Sequence, residues 1–283
     1  MTDVWQRCRG HNDGILAPLD LVDHIYLWAA GEAAIAAEAV AALAAPILDI
    51  PLVVGSGAVV PAWVGGATLS IMVDRQGDGA GGGLVEELIA RGGAVIGLTA
   101  DEGLAEVLTA AAHTVLDMPP DEETVVQPIV VPLLEALGMD GVVDDLAGWT
   151  GPESWLDTQA GLPVTLARAV AAAEVPAVYG GEGIGAVAAA WMAAQARLFT
   201  GRPAIGASFG DALTHMPAWS TGDSLTPVAW LVTNDREAAV ATAFDRAVQG
   251  VRAIRCTSTT PGAQLAELMA LADLAVSALP RRE

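Results

Sequence analysis

The sequence predicts an α/β protein of two lobes, each a doubly wound, mainly parallel sheet flanked by helices. Three observations lead there. Short apolar runs of strand length alternate with Ala/Leu/Glu-rich stretches of helical length. The alternation breaks near the middle of the chain and then restarts. Glycine clusters follow strands at 77–83 and 180–185, where doubly wound sheets open their ligand crevices.

Taken in order, the first half offers strands at 24–28, 52–55, 69–73, 94–99 and 114–118. Helices are expected at 32–45, 84–91, 102–111 and 128–138. Strand and helix in alternation imply parallel pairing, because a parallel connection needs a crossover of about a dozen residues or more. The second half repeats the rhythm, with strands at 175–180, 204–208, 228–233 and 251–257 and helices at 184–198, 236–248 and 263–279. Between them, 139–158 carries Asp140, Asp144, Asp145, Gly148, Gly151 and Pro152 with two tryptophans, a composition that breaks either period. The lobes are therefore set at residues 1–145 and 146–283.

With 53% apolar and 17% charged residues among 283, each lobe can bury a core. The charge is lopsided: 34 acidic residues against 13 basic ones, every one of them arginine, for a formal charge of −21. Without lysine there is no Schiff-base chemistry, no lysine base and no Walker-type phosphate lysine. Such a charge also opposes nucleic acid and anionic membrane surfaces. Cys8 and Cys256 lie far apart and form no disulfide framework. A polar N-terminus and an apolar stretch at 29–46 interrupted by Glu32 and Glu38 indicate neither a signal peptide nor a spanning helix, so a soluble, cytoplasmic protein is expected.

Several local motifs allow two readings. Gly181-Glu182-Gly183-Ile184-Gly185 has some of the look of a dinucleotide fingerprint, but its third glycine comes one residue early and no acidic residue ends the next strand at the usual offset. A tight strand-to-helix turn explains it more simply. The segment 78–83 could cradle a phosphate at a helix N-terminus, yet Asp74 and Asp78 flank it and favour a solvated loop. Cys8, His11 and Asp13 are close together on what reads as a mobile N-terminal arm, and neither a metal nor a cofactor is expected there or elsewhere. His215 is read as lying in a loop after a strand, where it is either a structural histidine or an acid–base group.

The stretch 51–83 resembles the sugar isomerase (SIS) domains of bifunctional phosphoglucose/phosphomannose isomerases. The matching residues are Pro51-Leu52-Val53-Val54, then Val60-Pro61-Ala62-Trp63-Val64, then Thr68-Leu69-Ser70-Ile71-Met72-Val73 and a glycine-containing turn. In the second half, Val187 to Gln195 and then Pro203-Ala204 are similar to the family's long helix and following strand. The resemblance implies two SIS-type domains, a homodimer, and metal-free aldose–ketose isomerisation of hexose 6-phosphates in typical members.

The family's functional positions are mostly replaced. Where its first glycine-rich loop ends in a ligand-binding serine, this chain has Gly31 followed by Glu32. Its hydroxyl-rich phosphate loop corresponds to Asp74, Arg75, Gln76, Gly77, Asp78 and Gly79, which keep only the glycine Gly77. The family's Pro-Arg pair reads Pro128-Ile129. Its catalytic glutamate falls on Leu198 and the neighbouring lysine on Gly201. His215 lies within a residue of the family's ring-opening histidine, and Asp211 is near a loop acid. The candidate ligand-binding set is thus Gly31, Glu32, Asp74, Gln76, Gly77 and Gly79, and the candidate catalytic pair is His215 with Asp211. The leading expectation is a catalytically degenerate SIS protein that binds a sugar or sugar-phosphate derivative. An active isomerase using His215 with Asp211 or Glu182, and a regulatory protein whose acidic surface meets a protein partner, are the alternatives.

Overall fold

The computed structural model describes residues 2–12, 14–75, 80–119, 125–149, 151, 161–221, 225–248 and 251–279. The chain divides into two compact units, residues 3–147 and residues 148–283, the latter with the first two residues attached.

The first unit carries five strands: β1 (His24–Ala29), β2 (Leu52–Gly55), β3 (Thr68–Asp74), β4 (Ala94–Thr99) and β5 (Thr114–Leu116). They form one parallel sheet in the order β2-β1-β3-β4-β5. Every residue of β3 is buried, as expected of a strand covered on both faces. The helices are α1 (Thr2–Arg7), α2 (Ala33–Ala44), α3 (Ala80–Ala90), α4 (Glu102–Ala110), α5 (Gln127–Ala136) and α6 (Asp140–Gly148). Tyr26, Trp28 and Met72 pack with Leu84, Val85 and Leu88 of α3 and Leu104 and Leu108 of α4. The alternate residues Ile25, Leu27 and Ala29 are equally buried, as are the inward residues of α2 and α5.

The second unit has β6 (Val175–Gly180), β7 (Ile205–Ser208), β8 (Leu225–Val232) and β9 (Arg252–Arg255), all parallel, in the order β7-β6-β8-β9. Its helices are α7 (Leu162–Ala172), α8 (Ile184–Thr200), α9 (Phe209–Thr221), α10 (Asp235–Ala247) and α11 (Pro261–Ser277). Tyr179, Trp230 and Val232 form an aromatic-rich core with Phe209 and Ala212 of α9 and Ala241 and Phe244 of α10. Tyr179 and Trp230 stack at 5.4 Å, and Trp230 and Phe244 at 5.3 Å. Contacts of this kind add about 0.5–1.5 kcal/mol beyond area burial.

Three expectations need correction. The N-terminal arm is not loose: Val4, Trp5 and Cys8 are buried, Asn12 exchanges hydrogen bonds with the Asp117 backbone at 3.0 and 2.7 Å, and Arg9 pairs with Asp144 at 2.7 Å. Part of the expected linker is α6, whose Val143 and Leu146, three residues apart, are fully buried. His215 belongs to α9 rather than to a loop. Gly148, at the end of α6, begins the second unit.

Candidate functional site

In a parallel sheet of order 2-1-3-4-5, the crossovers from β1 and β3 leave in opposite directions, so a crevice opens between their C-terminal ends. A cleft of about 240 Å3 lies there, lined by Trp28, Ala30, Gly31, Glu32, Ala33, Val73, Asp74, Arg75 and Val125. Gly31 has φ +60 and open space around it, so its role is conformational: the chain turns from β1 into α2 through a left-handed residue. Glu32 is the exposed N-cap of α2, and its side chain makes no capping hydrogen bond. The positive end of a 12-residue helix thus borders the cleft. Asp74 ends β3 and is only 8% exposed. Trp28 donates its indole N–H to the Gly57 carbonyl at 2.9 Å, which fixes the ring in the cleft wall.

The fold therefore brings together Gly31, Glu32 and Asp74 from the sequence-derived ligand set. Gln76, Gly77 and Gly79 lie outside the described residues. Trp28, Arg75 and Val125 had not been singled out. Arg75 matters most, because it adds a cation to a cleft that also carries Glu32 and Asp74, in a chain with no lysine. Its sequence signal is an arginine directly after a strand in the altered loop, flanked by the acids Asp74 and Asp78. Arg91 and Arg202 tie loops to the scaffold: Arg91 donates to the Pro61 and Val64 carbonyls at 2.6 and 3.1 Å, and Arg202 to those of Ala171 and Ala173 at 3.0 and 3.1 Å. Ile129 is fully buried in α5.

The proposed catalytic pair has evident structural partners. Asp211 and Ser208 form a reciprocal capping box at the start of α9: the Asp211 carboxylate accepts from the Ser208 N–H at 3.2 Å and its hydroxyl at 2.9 Å, while Ser208 Oγ accepts from the Asp211 N–H at 3.2 Å. One turn on, His215 Nδ1 shares a hydrogen bond of 2.9 Å with the hydroxyl of buried Tyr179. Burial pushes that phenol up to about 12. Leu198 is 69% exposed in the last turn of α8. Because α8 runs back from the end of β6 to the start of β7, Leu198 and the C-cap Gly201 lie at the edge of their own sheet opposite its strand C-termini.

The glycines after β6 have a packing cause. A Cβ on Gly180 would lie 1.9 Å from the Gly185 carbonyl oxygen, and one on Gly181 would lie 1.9 Å from the Glu237 carboxyl carbon. Glu237 accepts in turn from the Thr233 N–H and hydroxyl at 2.7 and 2.8 Å. The resemblance to a dinucleotide fingerprint reduces to a tight turn. Of the N-terminal trio, Asp13 lies outside the described residues, and among the described residues no three His, Cys, Asp or Glu side chains gather as a metal site. No described helix is long and apolar enough to cross a membrane.

No protein-family model matches the chain, and no curated protein does. Solved structures match over nearly its whole length. One is a Bacillus subtilis protein provisionally named a phosphosugar isomerase, 14% identical, with a TM-score of 0.67 over 100% of this chain and 98% of that one. Another is the C-terminal domain of the glucosamine-fructose-6-phosphate aminotransferase of Francisella tularensis, 11% identical, with a TM-score of 0.69 over 97% of this chain and 92% of that one. The chain has the SIS fold. A glucosamine-6-phosphate deaminase from Thermotoga maritima matches more loosely, at 14% identity and a TM-score of 0.56 over 97% of this chain and 91% of that one. At these identities the likeness is one of architecture, and the chemistry of this chain rests on its own residues.

Proposed function

We propose that this SIS-fold protein binds a carbohydrate derivative in the β1/β3 cleft and has lost the catalysis of the phosphoglucose/phosphomannose isomerases it resembles. On this reading residues 1–145 and 146–283 are two SIS-type domains that associate as a homodimer in the cytoplasm. The observation that carries the reading is the charge of the cleft, whose described lining holds two carboxylates, Asp74 and Glu32, and one cation, Arg75. A dianionic phosphate within about 4 Å of a carboxylate is repelled by up to about 4 kcal/mol per unit charge at an effective dielectric near 20, before solvent screening. Arg75 offsets one such carboxylate. The end of α2 returns only about 0.3–2 kcal/mol, so the balance stays against a phosphate and in favour of sugar hydroxyls, which donate hydrogen bonds to carboxylates. The engagement of Asp211 in the cap of α9 and of His215 with Tyr179 supports a loss of proton transfer.

The test is a melting-temperature panel of glucose, glucosamine and hexose 6-phosphates, combined with coupled isomerase assays. A sugar at a hundred times its dissociation constant stabilises by about 2.7 kcal/mol, a readily measured shift. A neutral or aminated sugar is expected to produce that shift, with no turnover of any hexose 6-phosphate. Isomerisation, or a clear shift with low-millimolar fructose 6-phosphate at neutral pH, would sink the reading. Sedimentation showing monomer alone at micromolar concentration would remove the homodimer from it.

A further inference from the structure

The second sheet repeats the strand order of the first, so it has its own crossing point, between the C-terminal ends of β6 and β8. The notch itself is closed by the Glu237 carboxylate and its bonds to Thr233. Beside it, however, a cleft of about 550 Å3 opens between α9 and α10. Its walls are apolar: Phe209 and Leu213, one helical turn apart on α9, face Val240 and Phe244, one turn apart on α10. Leu213 is 61% and Val240 37% exposed, which places solvent-facing hydrophobic surface on a very acidic chain. The charged groups lining the cleft are Glu182, Glu237 and Arg236.

We infer that this cleft is a second ligand site, which takes a small aromatic or aliphatic molecule bearing one ammonium group. The apolar body fills the space between the two helices, and the ammonium is drawn to Glu182. Glu237 is occupied by Thr233, whereas among the described residues Glu182 has only a long contact of 3.4 Å from the Gly210 N–H. An anionic ligand of the same shape would meet two carboxylates and the field of a chain carrying −21. Exposed Arg236 is the one lining group that would favour it.

Titration calorimetry on the full chain with 2-phenylethylamine, 2-phenylethanol and phenylacetate tests the inference. The amine should bind most tightly, the alcohol more weakly and the carboxylate most weakly. Glu182→Gln alters an exposed side chain and should weaken amine binding by about two- to fivefold, the size of a solvent-facing ion pair, while leaving the alcohol unchanged. Leu213→Trp should fill the cleft and weaken amine and alcohol alike by about tenfold or more, the scale of lost apolar burial. Should Leu213→Trp fail to fold, amine-induced shifts in the NMR signals of Val240 and Ala243 locate binding in the wild type instead. Three results overturn the inference: phenylacetate binding as tightly as the amine, amine affinity unchanged by Glu182→Gln, or no amine binding at millimolar concentration.

Discussion

The two crossing points share a topology and differ in what fills them. After β1, Gly31 has no neighbour within 4 Å of where a Cβ would be, and the space beyond it is a polar cleft. At the end of β6, Gly180 is pressed against the Gly185 backbone so closely that no side chain fits, and Gly181 lies against the Glu237 carboxylate. The second unit also satisfies its less exposed carboxylates internally. Besides Glu237, buried Glu267 accepts from the N–H groups of Thr257 and Ser258, both at 2.8 Å. A reversal of strand order creates an opening; the side chains around it decide whether it becomes a polar site or part of the scaffold.

The largest expected effect breaks that contrast directly. Gly180→Ala drives a methyl into backbone and should cost about 3 kcal/mol or more. Gly31→Ala meets no atom and should cost only the left-handed conformation, about 1–2 kcal/mol. Chemical denaturation of both variants checks this, and equal losses would mean that the two turns are not packed differently.

A second prediction probes the interior of the second unit through pH. Asp273 accepts the Trp191 indole N–H at 2.9 Å, and burial pushes its carboxyl up to about 6 despite that bond. A carboxyl raised in the folded state contributes stability that is fully present below its unfolded value near 3.8 and lost as pH rises through about 6. Asp273→Asn keeps an acceptor for Trp191 and should stabilise the protein at pH 8 by about 2–3 kcal/mol relative to wild type. At pH 3, where the carboxyl is protonated folded and unfolded alike, the gain should nearly vanish. A gain independent of pH would show that the buried charge is not its cause.

The smallest effect concerns the capping box. Asp211→Ala should cost about 1 kcal/mol of stability and change no ligand affinity in the β1/β3 cleft. Loss of sugar binding with little loss of stability would restore Asp211 to a functional role.

The parts of the fold that were legible in the sequence were those with one period and clear ends. The apolar run ending at Gly180 and the six residues of β4 could be placed because β-rich stretches were bounded by glycine or polar residues. Helix α9 was missed because Pro217, inside it, argues for a break, and because the Ser208-to-Asp211 cap was not weighed against it. Helix α6 was hidden by its aspartates, which are common at helix starts as well as in linkers. In the cleft, the resemblance points to Asp74 and Glu32 and carries Arg75 in the same loop, but which of these residues line the cleft, and that Gly31 serves the turn, follows only from the fold.

Titration calorimetry of glucose and glucose 6-phosphate, into wild type and Asp74→Asn, tests the central claim most directly. The account predicts that the parent sugar binds wild type more tightly than its phosphate, and that removing the Asp74 charge narrows or reverses that preference. A wild type that binds glucose 6-phosphate more tightly than glucose, with no response to Asp74→Asn, would contradict it.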